Sequence, residues 1–192
     1  MNWILTAQIV RAMTDLKHKI DVKAMPVVHK KTAAGLIAYC KAQLGKPYWY
    51  GTFGQVSTKG LLDYKKEQYP NYYIAKDFEK QLGVKVHDCI GLIKGYMWSK
   101  SVDDEHPAYA TNGFKDLSAD RYYRHAKKKG TMSTFPDVAG VAVFMKGHVG
   151  VYIGNGEVIE ARGHAYGVVT TKLSERKWAS WAYIDEIYYD KD

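Results

Sequence analysis

Apolar residues follow a helical spacing over several segments of the first part of the chain. The spacing predicts a helix over residues 32–44, which a threonine caps and a glycine and a proline end. Further helices are predicted over residues 61–69, over residues 89–99 and over Ser118–Lys129, the last ended by a glycine. The polar, proline-containing stretch between the third and the fourth helix is predicted to be a loop.

The spacing changes towards the end of the chain, where short runs of Val, Ile and Tyr are separated by glycines. This pattern is typical of antiparallel strands joined by tight turns. The predicted strands are Gly140–Met145, His148–Ile153, Glu157–Arg162, Tyr166–Thr171 and Tyr183–Tyr189. Helices followed by such a set predict an α+β fold with an antiparallel sheet of about five strands.

The chain is predicted to be a single domain that follows a leader. Residues 1–30 are expected to be helical or partly ordered, because Pro26 breaks the pattern before the core begins. Residues 31–192 are long enough to bury a sizeable core without disulfides or metal. The first residues lack the basic start, the long apolar core and the cleavage site of a secretory signal, and no such signal is expected.

Composition narrows the possible partners. Lys and Arg number 28 against 20 Asp and Glu, which gives a net charge of +8 at pH 7. A basic surface attracts polyanions, and acidic cell-wall polymers meet that condition as well as nucleic acid does. The sequence contains no zinc-finger spacing or RNA-binding motif, so nucleic acid is not an expected partner. No apolar segment is long enough to cross a bilayer, and membrane insertion is not expected either.

The chain has two cysteines, which differ in their surroundings. Cys40 lies among leucine and isoleucine residues at helical spacing and is predicted to be a small buried apolar residue. Cys89 follows Asp88 and begins a predicted helix. Partial positive charge at the start of a helix stabilises a thiolate and lowers the pKa of the thiol. Cys89 is therefore a candidate nucleophile, although a disulfide with Cys40 is an alternative that would consume it.

A nucleophilic thiol needs a base, and His148 is the candidate. It opens a predicted strand whose next residues alternate between glycine and Val, Tyr or Ile. A cysteine from the start of a helix and a histidine from a strand form one recurring geometry for thiol acyl transfer. A zinc site built from Cys89, His148 and His87 is the weaker interpretation, because no paired ligand spacing is present.

Three segments in this order resemble the NlpC/P60 cysteine peptidases, which cut the peptide stems of bacterial peptidoglycan on a papain-like core. Gly45–Gly51 resembles the entry segment of the family, Asp88–Leu92 its nucleophile motif and Gly147–Gly154 its histidine strand. The resemblance extends over roughly residues 32–171. It implies a papain-like core with the nucleophile at a helix N-terminus packed on an antiparallel sheet. In the family a short loop joins the first two segments, so residues 52–87 are predicted to be an insertion.

The resemblance also implies a third catalytic residue on the strand after the histidine, which orients the imidazole. The matching position is Glu160, where the family more often has His, Asn or Gln, and His164 is the alternative. A three-residue loop at Gly154–Gly156 would pair Ile153 with Glu157 and place His148 and Glu160 on one face. A two-residue turn would place them on opposite faces.

Three further residues are expected to support the site. Tyr50 matches the tyrosine of the family that approaches the nucleophile, although a core position is an equally simple interpretation of a tyrosine there. Asp88 is expected to cap the helix that begins at Cys89. Ile90 stands where a small polar residue is common in the family, and we expect it to make the adjacent subsite drier. Residues 52–87 are expected either to form part of the substrate cleft or to pack on the surface as a decoration.

The resemblance implies that the Cys89 thiolate attacks an amide carbonyl of the wall peptide and that His148 protonates the leaving amine. No metal or other cofactor is required. Without a signal peptide, the expected routes to the wall are release through a phage-type membrane hole, as for an endolysin, or origin as a domain of a longer secreted parent. Two other functions stay open: a catalytically silent wall-binding module, and a papain-like amidase or acyltransferase acting on another amide or on a lipid.

Overall fold

A computed structural model of the protein describes residues 31–189. The predicted leader, residues 1–30, lies outside the described residues. The helices within them are α1 (Ala33–Ala42), α2 (Lys59–Gln68), α3 (Cys89–Trp98) and α4 (Ala119–His125). The strands are β1 (Phe53–Val56), β2 (Lys85–His87), β3 (Lys129–Thr131), β4 (Ala142–Met145), β5 (His148–Gly154), β6 (Glu157–Ala161), β7 (Val168–Lys172) and β8 (Ser180–Ala182).

Six of these strands form one antiparallel sheet in the order β3-β8-β4-β5-β6-β7, and β1 pairs with β2 in a small separate sheet. The predicted α+β class is confirmed, and the main sheet has six strands where about five were predicted. Alternate residues of its strands face opposite sides. Ala142, Phe144 and Val151 pack towards α1 and α3 in the main core, whereas Val143 and Trp181 pack in a second apolar cluster.

One predicted helix ends early and one predicted strand is wrong, and both differences lie where tertiary contacts override local preference. The predicted helix Ser118–Lys129 ends at His125, because Lys129–Thr131 pairs with β8 instead of continuing the helix. The predicted strand Tyr183–Tyr189 does not form. Ile184 and Ile187, three positions apart, are both buried in that segment, which turns over the core, and the last strand of the sheet is β8.

Helix α3 is the centre of the packing. Eight of its ten residues are buried, including Ile90, Leu92, Ile93 and Met97 on several sides of the helix. Gly91 and Gly95 allow other groups to approach its backbone. A Cβ atom on Gly91 would overlap the carbonyl oxygen of Thr52, and one on Gly95 would overlap the Tyr39 hydroxyl. The glycines of α3 are therefore packing residues, which the sequence pattern does not reveal.

Replacement of Gly91 by alanine is expected to lower the free energy of unfolding by about 2–3 kcal/mol, because the added methyl group has to displace backbone rather than a flexible side chain. Gly60 in α2 is the matched control, since an added Cβ atom there meets no atom within 4 Å. Gly60→Ala is expected to be neutral or to stabilise by about 0.5–1 kcal/mol. Urea unfolding measures both, and equal effects of the two substitutions would contradict the packing role of Gly91.

Residues 52–87 fold around their own small apolar cluster. They contain β1, α2 and β2, and the cluster comprises Trp49, Leu62, Tyr73, Phe78 and Val86. The Trp49 indole N–H donates to Gln81 at 2.7 Å, so the cluster ties the entry segment to the residues that follow it. One edge of this segment faces the nucleophile.

Candidate active site

Cys89 is the first residue of α3, and Asp88 caps the helix. The Asp88 carboxylate accepts a hydrogen bond from the Gly91 N–H at 2.5 Å and another from the Gly51 N–H at 2.9 Å. The first is an ordinary N-cap bond, and the second ties the entry segment to the nucleophile. Asp88 therefore fixes both the start of the helix and the loop that faces it.

The Cys89 thiol lies beside the residue that precedes His148. Its Sγ is 3.9 Å from the carbonyl oxygen of Gly147. Among residues 31–189 the hydrogen bond of the thiol goes to this carbonyl and not to the imidazole ring. The structure thus brings the Cys89 side chain to the start of β5. Such contacts often tighten only when substrate binds.

Burial favours the protonated form of the Cys89 thiol in the resting site. Burial and then the charge of Asp88 raise the pKa of Cys89 to about 12, although the N–H groups of Ile90 and Val149 act in the opposite direction. The lowered pKa expected from the helix start alone is wrong, because burial outweighs the partial charge of the helix. A thiolate can form only when a neighbouring base accepts the proton.

Glu160 holds the imidazole of His148. Its Oε2 lies 2.6 Å from the His148 Nε2, and the glutamate side chain is fully buried. Burial disfavours the charged carboxylate, but the hydrogen bonds from His148 and Thr171 outweigh it and keep the pKa of Glu160 below its ordinary value. An ionised carboxylate only accepts hydrogen bonds, so Nε2 carries a proton. The ring nitrogen left to act as a base is Nδ1.

The β5–β6 hairpin combines features of both turns that the sequence left open. Asn155 and Gly156 have positive φ angles of 53° and 73° in a tight turn. The end of the hairpin pairs Gly154, rather than the predicted Ile153, with Glu157, and the register shifts there. The irregularity compensates for the short turn in the manner of a β-bulge. The histidine and the glutamate therefore stay on one face, as the three-residue loop predicted.

Three residues that the sequence analysis missed surround this pair. The Thr171 hydroxyl donates to Glu160 Oε1 at 2.7 Å, and Arg176 Nη2 donates to Oε2 at 3.0 Å. The Trp178 ring stacks on the His148 ring, with 5.7 Å between centroids and 12° between planes. Thr171 lies on β7, diagonally opposite the glutamate, and a correct pairing of β6 with β7 would have indicated it. Arg176 and Trp178 follow β7 and carry no sequence signal.

His164 has other partners. Its Nε2 lies 2.7 Å from the Asp77 carboxylate, and its ring packs on Phe78 with 4.3 Å between centroids. Both partners belong to residues 52–87. Glu160, and not His164, is the residue that the structure places on His148.

Two tyrosines of the entry segment flank the nucleophile differently. Tyr50 stacks on Tyr72, with 3.7 Å between ring centroids, and lines the cavity in front of Cys89. Burial raises the pKa of Tyr48, and a negative charge on Cys89 would act in the same direction. Tyr50 is the tyrosine expected from the sequence, and its contact with substrate stays a prediction.

A cavity of about 620 Å³ opens in front of Cys89. Ile90 lines it beside the nucleophile, although most of the Ile90 side chain is buried in the core. Residues 52–87 supply one wall through Leu61, Tyr64, Lys65 and Tyr69. This segment therefore borders the cleft, in agreement with the first of the two alternatives for its placement.

Within residues 31–189 no three His, Cys, Asp or Glu side chains form a group that could hold a metal ion. In the same part of the chain no helix is long and apolar enough to cross a membrane. Cys40 and Cys89 are both free thiols, so the alternative disulfide is not formed. Cys40 is fully buried in the main core, as predicted.

His87 is fully buried next to the nucleophile motif. Its Nε2 lies 3.1 Å from the Tyr39 hydroxyl, and its Nδ1 has no hydrogen-bond partner in the described chain. Burial, followed by the positive charges of Lys85 and Lys46, lowers the pKa of His87 to about 3. The side chain is therefore a neutral core residue and not a base.

Acidification is expected to destabilise the protein through His87. The unfolded chain binds a proton near pH 6.5, whereas the folded chain binds it only near pH 3. Above the unfolded pKa this group does not affect the free energy of unfolding. As the pH decreases below that pKa, the free energy of unfolding decreases by about 1.4 kcal/mol per pH unit. His87→Gln should remove this contribution to the slope between about pH 6 and about pH 4, measured by urea unfolding. The exposed His106→Gln is the control, and an unchanged slope in His87→Gln would contradict the prediction.

Comparison with known families identifies the class of protein. The family model described as NlpC/P60 matches residues 45–185, so the chain belongs to the NlpC/P60 family. A comparison with curated proteins found no match.

Solved structures of NlpC/P60 domains resemble the chain at low identity. The NlpC/p60 domain of the peptidoglycan hydrolase SagA is 14% identical, with a TM-score of 0.45 over 80% of this chain and 99% of that domain. The P60 domain of antigen MAP1204 from M. avium subspecies paratuberculosis is 21% identical, with a TM-score of 0.45 over 81% and 96%. The peptidoglycan hydrolase RipB from Mycobacterium tuberculosis is 20% identical, with a TM-score of 0.46 over 80% and 65%.

Proposed function

We propose that the protein is a cysteine peptidase that hydrolyses an amide bond in the peptide stem of bacterial peptidoglycan. The observation that carries the proposal is the arrangement at one end of the cavity. Cys89 begins a capped helix, its thiol lies against Gly147, and the next residue is His148, which the buried Glu160 holds by Nε2. A nucleophile, a base and a group that orients the base then come from three different elements.

The proposed reaction begins with proton transfer from the Cys89 thiol to Nδ1 of His148. The sulfur attacks the amide carbonyl, and the carbonyl oxygen gains the negative charge. The backbone N–H of Cys89, at the start of α3, is the donor that stabilises this charge. The imidazolium then gives its proton to the leaving amine, and the C–N bond breaks to leave a thioester.

The second half of the reaction releases the product. Water loses a proton to His148 and attacks the thioester, and the returning proton restores the thiol. Glu160 stabilises the imidazolium that forms in both halves, while Arg176 shares the negative charge of the carboxylate and limits this effect. In the resting site the raised pKa of the Cys89 thiol favours a neutral thiol beside a neutral imidazole, and so does the sharing of the Glu160 charge with Arg176. We therefore expect the thiolate–imidazolium pair to form only when substrate binds.

The cavity favours a polar peptide over a lipid as substrate. Its lining includes Asp88, Asp116, Lys65 and Lys94 in addition to aromatic rings. Groups of both signs suit an amide chain with free carboxyl and amino groups, whereas a lipid tail offers them no polar group to bind. The site of action that follows from this proposal is the bacterial cell wall, where acidic polymers are further partners for the basic surface.

Digestion of purified cell wall tests the proposal. Wild-type protein is expected to release peptides whose masses match cleavage within the stem, and Cys89→Ala is expected to release none. Binding of both proteins to the wall without release by either would favour a silent binding module. Released fragments with intact stems would contradict the proposed bond class.

A further inference from the structure

Lys65 is a buried cation on the wall of the active-site cavity. It lies on α2 within residues 52–87, and its side chain is almost fully enclosed although it reaches the cavity. The rings of Tyr64 and Tyr69 flank the ammonium group, each with its centroid 5.5 Å from Nζ. Lysine is rarely buried in this way unless it is paired.

The Lys65 ammonium group has one hydrogen-bond partner in the described chain. Nζ donates to the carbonyl oxygen of Gly51 at 2.5 Å, which uses one of its three N–H donors. Among residues 31–189 no carboxylate oxygen lies within 4.0 Å of Nζ. Burial lowers the pKa of Lys65, and the charges of Asp88 and Asp116 oppose this only in part.

The neighbouring carboxylates are already engaged. Asp116 pairs with Lys94 at 2.5 Å and accepts a hydrogen bond from Tyr109, and Asp88 accepts from two backbone N–H groups. Lys94 is therefore neutralised within the protein, whereas Lys65 is not. Among the described residues that line the cavity, Lys65 is thus the cation with N–H donors available to bind an anion.

A short series of contacts joins this cation to the nucleophile. The carbonyl of Gly51 accepts from Lys65, the N–H of the same residue donates to Asp88, and Asp88 precedes Cys89. An anionic group bound at Lys65 would lie in the same cavity as the scissile bond, because Lys65 and Cys89 both line it. The low exposure of Lys65 strengthens a charged hydrogen bond made by its ammonium group.

We infer that Lys65 is a specificity-determining residue that binds a free carboxylate of the substrate beside the scissile amide. This inference rests on the proposed function for the identity of the substrate. A stem peptide with a free α-carboxyl group would bind well, and the same peptide with a carboxamide at that position would bind poorly. The lysine would contribute affinity and orientation, with no part in bond breaking.

Binding measurements in a Cys89→Ala background test the inference without any need for hydrolysis. Two synthetic stem peptides are compared that differ only in whether the α-carboxyl group beside the scissile bond is a free acid or a carboxamide. Calorimetry is expected to show the acid bound about 10- to 100-fold more tightly. Lys65→Met should bind the two peptides alike, and Lys65→Arg should keep a preference for the acid. Lys66→Met, the neighbouring lysine outside the cavity lining, should keep the preference in full.

Thermal unfolding of each variant shows whether it is folded, and Lys65→Arg supports the inference even if Lys65→Met is unstable. A preference for the acid that survives in Lys65→Met, or equal binding of both peptides by the parent protein, would overturn the inference. Hydrolysis of stem peptides by the protein with intact Cys89 is assayed separately. Hydrolysis without a Lys65-dependent preference overturns only the inference, whereas the preference without hydrolysis overturns only the proposed function.

Discussion

Removal of the Cys89 thiol and the His148 imidazole together is expected to cost no more activity than removal of the thiol alone. Cys89→Ala and His148→Ala should each lower kcat/KM for a stem peptide by about 10⁴-fold or more, because members of a catalytic unit act together. The double variant should then match Cys89→Ala. The physical reason is that the resting thiol holds its proton, so without a base the sulfur stays a weak nucleophile.

This prediction tests the spatial relation on which the proposed reaction depends. The structure places the thiol against Gly147 without a direct bond to the ring of the next residue. Rates are measured by separation of the peptide products, and His125→Ala, an exposed histidine on α4, is the control expected to keep wild-type activity. If the loss of kcat/KM in the double variant equals the product of the two single losses, the two residues act independently. That result would contradict a catalytic pair of Cys89 and His148.

The second large effect is expected from Glu160→Gln, which keeps the size of the side chain but removes its charge. We expect kcat to fall by about 10²- to 10⁴-fold, because the amide can neither stabilise the imidazolium nor enforce the Nε2 proton. Thermal unfolding of Glu160→Gln is measured in parallel, because a loss of activity in a folded variant is not a consequence of general destabilisation.

Two comparison variants define the role of Glu160 further. Thr171→Val removes one donor to the carboxylate and should reduce kcat by less than about tenfold, since the ion pair with Arg176 stays in place. His164→Ala should lose little activity, because that histidine pairs with Asp77. Full activity in Glu160→Gln together with inactive His164→Ala would show that the third member of the site is misassigned.

The elements of the site were predictable to different degrees from the sequence. Strong local signals placed Cys89 at a helix start and His148 at a strand start, and both elements begin there in the structure. The position of Glu160 depended on hairpin parity, where a one-residue irregularity decides which face a side chain takes. The sequence offered both outcomes and could not choose between them from the turn residues alone.

The remainder could not be predicted because it depends on contacts between distant segments. Arg176 reaches the carboxylate from a turn after β7 that has no motif. The pKa of Cys89 follows from burial, which a helix start does not reveal. The Ile and Tyr residues at 183–189 suggested a strand, but the sheet takes its last strand from residues 180–182. Local patterns therefore indicated the candidate residues, and long-range packing determined their electrostatic surroundings.

Helix α3 is enclosed on nearly all sides, and its first residue is the candidate nucleophile. An element so constrained opens only with the whole molecule. The sulfur therefore has little freedom to adjust its position towards different substrates. The part of the cavity that can change with the substrate is the outer wall formed by α2 and the tyrosines beside it. Related chains that differ in substrate preference should therefore differ mainly in that wall. The position of the sulfur at the start of the helix should stay the same.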